Sequence, residues 1–279
     1  MTRLQKIVGH TLYYRLSGLI IAGTLLISST ITGFGQSEEE RKADQQATLA
    51  VKLASGNEEE RLDSLVQLGT LFSQISARPT DSTIAALANS LRDDSSPVIR
   101  ALSARTLELA NDPRAVTPLL DSLKKEREVA VSKAIIYALA HYPSPQVSFQ
   151  LRPYIEHKKP EIRAAALYTI AEICDPLAAQ PLMDFIRKHR GESDAFARSQ
   201  AVRGLGGIGN RQAIEILLKA LTHEKSSEVR REAAQALGKI ANRDDSQVIE
   251  ALRKAARTSD PYLTMAVDQA LALINSRNE

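Results

Sequence analysis

The sequence predicts an all-α protein, an α-solenoid of stacked antiparallel helix pairs, and three observations carry that prediction. The first is self-similarity. Residues 228–242 read Glu-Val-Arg-Arg-Glu-Ala-Ala-Gln-Ala-Leu-Gly-Lys-Ile-Ala-Asn, and anchoring on Val229 recovers the same spacing from Ile99, Val131, Ile162, Ala197 and Leu263. These anchors lie 32, 31, 35, 32 and 34 residues apart. At that period each unit is one supersecondary element that buries its apolar face only against its neighbours. The second is composition: 43% of residues are apolar, only 4% are aromatic and none is Trp, so the core must come from Ala, Leu, Ile and Val in closely approaching helices. The third is punctuation. Asp112-Pro113, Ser144-Pro145 and Asp175-Pro176 recur at one register position, where a side-chain oxygen accepts from the free N–H groups of a new helix and Pro has none to lose.

Residues 1–35 differ from the rest. Arg3, Lys6 and Arg15 occur without an acid, followed by an apolar run over 16–31 broken only by Ser, Gly and Thr, then Gly33-Phe34-Gly35. These are the basic, apolar and small-residue parts of a signal peptide cut after Gly35. The alternative is an uncleaved N-terminal membrane anchor with the protein facing outward, although the run falls short of the roughly 20 residues that span a bilayer. Either way the expected location is outside the cytoplasm, periplasmic or extracellular, and any membrane contact is through this leader. Without the leader, the formal charge of +3 falls to zero, which argues against a nucleic-acid partner. The single cysteine, Cys174, permits no internal disulfide.

Residues 36–57 read as a solvated lead-in helix and linker, with Glu38, Glu39 and Glu40 at a helix N-terminus and a break at 55–57. Residues 58–279 read as the solenoid. Its first pair is irregular: Leu62, Leu65, Leu68, Leu71 and Phe72 line one helix, and Thr80 precedes a second carrying Ile84, Leu87 and Leu91. In each later unit, helix A begins near Pro97, Val129, Pro160, Ala195, Glu228 and Pro261, and helix B follows the cap column Asp112, Asp175, Asn210 and Asn242. Pro118 and Pro181 stand five residues beyond two of these caps, where either helix B starts late or its first turn is irregular. Bases close the B helices and acids open the A helices, a pattern that complements the helix dipoles.

The spacing Val-Arg-x-x-Ala-Ala-x-Ala-Leu-Gly-x-Ile-x-Asn/Asp over 229–242, with Asp-Pro at 112–113 and 175–176, resembles HEAT-like repeats of the short phycobilisome-lyase type across about residues 58–275. The resemblance implies an armadillo-like stack whose B helices line the inner face. It also implies a hydrogen-bonded ladder between units from Arg100, Arg163, Arg198 and Arg230 with Asp112, Asp175, Asn210 and Asn242. Members act as scaffolds, assembly factors and, in one branch, bilin lyases. The third unit departs from the pattern, with Ser132 in place of the Arg.

Residues 204–209 spell Gly-x-Gly-x-x-Gly, but they end a helix A in the repeat register, whereas a dinucleotide site must open a helix after a strand. His157, His189 and His223 recur after successive B helices, too far apart to share one metal, and read as solvated helix-end residues. Cys174 reads as a buried small residue. Neither a cofactor nor a metal is expected. With B helices inward, the candidate partner-binding residues are Asp121, Phe149, Pro153, Glu156, Asp184, Arg187, Glu215 and Lys219. Phe149 is the aromatic exception in a polar column, either a hot spot or packed on Tyr154. The expected function is a non-catalytic scaffold or assembly factor binding a protein or peptide. The alternative is a cofactor-handling chaperone or lyase-like protein acting on a client.

Overall fold

The computed structural model describes residues 37–74 and 77–277. The leader, with its cut after Gly35 or its alternative as an anchor, lies outside the described residues. No described helix is long and apolar enough to cross a membrane.

Among the described residues there are fourteen α-helices and no strand. The first, α1 (Glu38–Ser55), buries Gln46, Leu49, Ala50 and Leu53 against α2 (Glu58–Gln74) and α3 (Asp81–Asp93). The segment read as a solvated lead-in is therefore the first layer of the stack, because this i, i+3, i+4, i+7 stripe has an apolar face to cover. Gln46 locks it in place: its Nε2 donates to the Arg78 carbonyl at 2.9 Å and its Oε1 accepts from the Thr80 N–H at 3.0 Å. Pairs then follow: α4 (Pro97–Ala110) with α5 (Val116–Lys125), α6 (Val129–Leu139) with α7 (Pro145–Leu151), and α8 (Pro160–Ile173) with α9 (Ala179–Lys188). Next come α10 (Ala195–Ile208) with α11 (Ile214–His223), α12 (Ser227–Ile240) with α13 (Ser246–Ala255), and the closing α14 (Pro261–Ser276). Even-numbered helices are the A helices and odd-numbered ones the B helices.

Three A helices end the same way. Asn111, Cys174 and Gly209 take left-handed backbones, with φ of 47°, 53° and 76°. The next residues, Asp112, Asp175 and Asn210, then cap a short 3-10 turn by accepting from the N–H of Arg114, Leu177 and Gln212 at 2.9, 3.0 and 2.9 Å. The α-helix proper begins after that turn, so Pro118 and Pro181 fall in its first turn, where no intrahelical donor is needed. Asn242 breaks the series. There α13 starts later, and the Asn242 N–H donates to the carboxylate of Asp245 at 2.7 Å, so Asn242 is not a side-chain cap. In the third unit Pro153 stops α7 after seven residues and continues it as a 3-10 turn, Arg152–Glu156.

The two sides of the stack pack differently. Along the A helices small residues face one another. A Cβ on Gly206 would lie 2.8 Å from Ala236 Cα, and one on Gly238 would lie 2.5 Å from Ala270 Cα. Gly204 meets Ala171 in the same way, at 3.1 Å. Successive B helices, which carry bulky buried side chains such as Leu182, Phe185 and Leu217, make sparser contacts with one another than successive A helices do.

Gly238→Val should lower unfolding free energy by about 1–3 kcal/mol, since overpacking at a backbone contact cannot relax into open space. Gly191→Ala should change it by less than about 0.5 kcal/mol, because its added Cβ meets only Ser193 Oγ at 3.7 Å. Urea titration followed by circular dichroism compares the two.

Candidate functional site

The arginines one residue after each anchor link successive turns between units. Arg100 donates to both carboxylate oxygens of Glu126 at 2.8 and 3.0 Å and to the Asp94 carbonyl at 2.9 Å. Arg163 holds Asp194, with Nε at 2.9 Å, and the His157 carbonyl at 2.7 Å. Arg198 holds Glu224 at 2.8 and 3.0 Å and the carbonyls of His189 and Gly191 at 3.0 and 2.6 Å. In each case the guanidinium ties the turn before its own helix to the turn leading into the next one, with bidentate geometry on Glu126 and Glu224. Its partners are loop acids. Asp112, Asp175, Asn210 and Asn242 stand at the other end of helix A, roughly 18 Å along the axis, and are not reached.

Asp112 pairs instead with Arg114 at 2.6 Å and Asp175 with Arg152 at 3.4 Å. Arg230 makes no such bridge, and its Nε is buried without a partner. Ser132 is buried and puts no guanidinium at its place in the third unit. Arg61 performs the same clamping on Asp94, at 2.8 Å, and on the Gly56 carbonyl, at 2.8 Å. The repeat spacing missed it because the residue before it is Glu60 and not an apolar anchor.

The B-helix columns lie exposed. Asp121 pairs with Lys124 at 3.1 Å, Asp184 with Arg187 at 2.8 Å, and Glu215 with Lys219 at 2.7 Å, each within one helix. Glu156 takes Lys188 at 2.6 Å and His189 at 3.1 Å. Pro153 is exposed in its 3-10 turn. Phe149 is 61% exposed, with the Arg152 guanidinium 5.3 Å from its ring centre, while Tyr154 stacks on His157 at 6.5 Å. Only Arg187, Glu215 and Lys219 come together, around a groove between α9 and α11.

Two other residues differ from expectation. His189 is largely covered, stacked on Phe185 at 4.3 Å, because the loop after α9 folds back over it. Cys174 is exposed, since its left-handed backbone turns the thiol to the rim of the helix end, where Sγ lies 3.1 Å from the Ala171 carbonyl. Among the described residues no group of three His, Cys, Asp or Glu is placed to hold a metal ion.

The A helices carry a different set. Six residues beyond successive anchors stand Arg105, Tyr137, Tyr168, Arg203 and Gln235. Tyr137 and Tyr168 meet edge to face at 5.5 Å, and the Arg203 guanidinium lies 5.0 Å from the Tyr168 ring centre. Arg203 also pairs with Glu172 at 2.8 Å, while its Nε is buried without an acceptor. Beside it a pocket of about 420 Å³ is lined by Glu228, Arg231, Glu232, Gln235, Tyr262 and Met265, with Arg231 5.6 Å from the Tyr262 ring. Burial pushes the Glu232 carboxyl above the ordinary range; Arg203 pulls it down and Glu228 adds to the rise. Gln200, nearly covered, leaves Oε1 without a partner. Aromatic surface, a cation with a spare donor and a carboxyl inclined to keep its proton thus occupy one face. The sequence shows this column at the sixth position after each anchor.

Residues 84–152, 127–195 and 189–272 match the family of HEAT repeats. The bilin biosynthesis protein PecE of Nostoc sp. PCC 7120 is 26% identical over 140 residues, 49% of this chain and 53% of that protein, so the match spans about half the relative's length. The complex of CpcE and CpcF of phycocyanin lyase from the same organism superposes over 91% of this chain and 99% of that chain, with a TM-score of 0.50 and 16% identity. An engineered protein aligns over 83% of this chain and 68% of that one, at a TM-score of 0.51 and 21% identity. These likenesses establish the all-α solenoid with short repeats of the phycobilisome-lyase type.

Two expectations are corrected by the same relatives. A bilin biosynthesis protein and a phycocyanin lyase speak against a chain without catalysis. In a solenoid, chemistry resides in side chains gathered on one face from many units, so the lack of a compact catalytic motif carried no weight. Export to the periplasm or outside the cell does not stand either, because a bilin biosynthesis protein and a phycocyanin lyase complex are not relatives that point to an exported chain. A weakly apolar run interrupted by Ser, Gly and Thr is compositional and does not by itself specify an address.

Arg163→Ala should cost about 3–5 kcal/mol, because it leaves the buried carboxylate of Asp194 without its cation. Lys124→Ala, which removes an exposed pair, should cost less than about 1 kcal/mol. Thermal unfolding of the two variants beside the parent protein measures the difference.

Proposed function

The chain belongs to the HEAT-repeat family, and on that premise we propose that it is a lyase-like, cofactor-handling protein that acts on a client protein, with the exposed face of the A helices as its working surface. A stacked array offers a preformed surface, so binding requires little ordering of the receptor. The observation that carries the reading is the run Tyr137, Tyr168 and Arg203 beside the pocket at Glu232 and Tyr262.

A bilin is a flat conjugated ligand bearing carboxylates, and when bound it supplies the carbon framework that becomes joined to the client. The residues present fit such a group. Tyr137 and Tyr168 give aromatic surface, and Arg203 has a buried Nε with no acceptor in the protein, a suitable partner for a carboxylate. The pocket of about 420 Å³ lies in the range of ligand sites, roughly 300–1,000 Å³. Glu232, whose carboxyl is pushed above the ordinary range by burial, stands at the pocket wall. The pairing of CpcE with CpcF in the related lyase supports a protein partner for this chain as well.

Titration of the purified protein with a free bilin, followed by visible absorption, should give a saturable spectral change. Arg203→Ala should weaken it about tenfold or more, as expected for loss of a hydrogen bond to a charged group, with helical circular dichroism retained. An unchanged spectrum with the parent protein, or equal binding by Arg203→Ala and Tyr168→Leu variants, overturns the reading.

A further inference from the structure

The widest repeat spacing, between the anchors Ile162 and Ala197, inserts a short turn, Glu192–Asp194, between α9 and α10. Beside it a groove of about 1110 Å³ opens between α9 and α11. The turn is held from three directions. Arg198, 3% exposed, donates to the His189 and Gly191 carbonyls, and Arg163 holds Asp194. His189 has Nε2 3.1 Å from Glu156 and Nδ1 3.4 Å from Asp194. The groove is therefore preformed, and a ligand does not have to order it.

We infer that this groove docks an extended acidic peptide segment of a protein partner. Its floor is apolar, built from Ile186, Ile216 and Ala220. Along its rim Arg187, Arg190, Lys219 and Lys225 outnumber Glu192, Glu215 and Glu224, with Arg198 buried beneath them. Two of those acids are already matched, Glu224 by Arg198 and Glu215 by Lys219. Arg190, from the α9 side, has only its Nε engaged, on the Arg187 carbonyl at 3.1 Å, and Lys225, from the α11 side, has no ion pair among the described residues. Both are exposed.

Cations on opposite walls of an apolar floor suit a strand whose alternate side chains are acidic and apolar, since successive residues of an extended chain point to opposite sides. A phosphate backbone would meet three carboxylates and would leave the isoleucines uncovered. The site is separate from the pocket at Glu232 and does not depend on it.

Fluorescence anisotropy of the full chain with a fluorescein-labelled, end-blocked peptide of Glu alternating with Val and Gly tests the inference. The expected result is saturable binding that weakens with salt and falls about tenfold in the Arg190→Glu, Lys225→Glu double variant, while Lys124→Glu, on α5, binds as the parent does. A matching peptide with Lys in place of Glu should not bind. Absence of binding, equal binding by the double variant, equal binding of the Lys peptide, or displacement by free glutamate at the peptide's concentration each overturns it. The bilin titration reads the A-helix face alone, so failure of either reading leaves the other intact.

Discussion

Contact between A helices at the level of their backbones is the constraint on which the rest of the molecule depends. Gly204 on Ala171, Gly206 on Ala236 and Gly238 on Ala270 leave no room for a methyl group, and so they fix both distance and register between successive units. Successive B helices make sparser contacts. The close A helices bring Tyr137, Tyr168 and Arg203 from three units together. The one lengthened turn, before α10, stands beside the groove between α9 and α11.

Polar groups at the unit boundaries complement this packing. Each clamping arginine replaces water around the last exposed carbonyls of one turn and neutralises an acid in the next, which is how a guanidinium such as Arg198 tolerates near-complete burial. The same chemistry holds the inserted turn at Glu192–Asp194, so the insertion adds a shaped surface without adding a floppy loop. Arg203, like Arg230, keeps a buried donor unmatched, and it does so on the exposed face of the A helices. An unmatched buried donor is costly in a purely structural setting, and here it stands beside aromatic rings and a pocket.

Much of the architecture could be read from Val229 outward, because spacing, small residues and Asp-Pro caps are local and periodic. The glycine-rich end of α10 was correctly placed as a helix terminus for the same reason. The closer approach of the A helices was not legible, since it follows from comparing helix contacts between units, and no single unit contains that comparison. The partners of the arginines were hidden too. Glu126 and Glu224 lie 26 residues beyond their arginines, but Asp194 lies 31 beyond Arg163, so no fixed column marks them. The covering of His189 depends on how the loop after α9 folds back, and the corrections on catalysis and export came from relatives, where spacing had nothing to offer.

Stability in a stacked array is passed between neighbours only, so its mechanical character is set joint by joint. The third unit has Ser132 where its neighbours have a guanidinium, a helix A of eleven residues where most have fourteen, and a helix B cut short at Leu151 by Pro153. What ties this unit to its neighbours is instead buried and local: the Tyr142 hydroxyl donates to the Leu107 carbonyl on one side, and the Thr169 hydroxyl donates to the Ile136 carbonyl on the other. The joint without a guanidinium is thus the one where an aromatic pair, Tyr137 on Tyr168, spans two units.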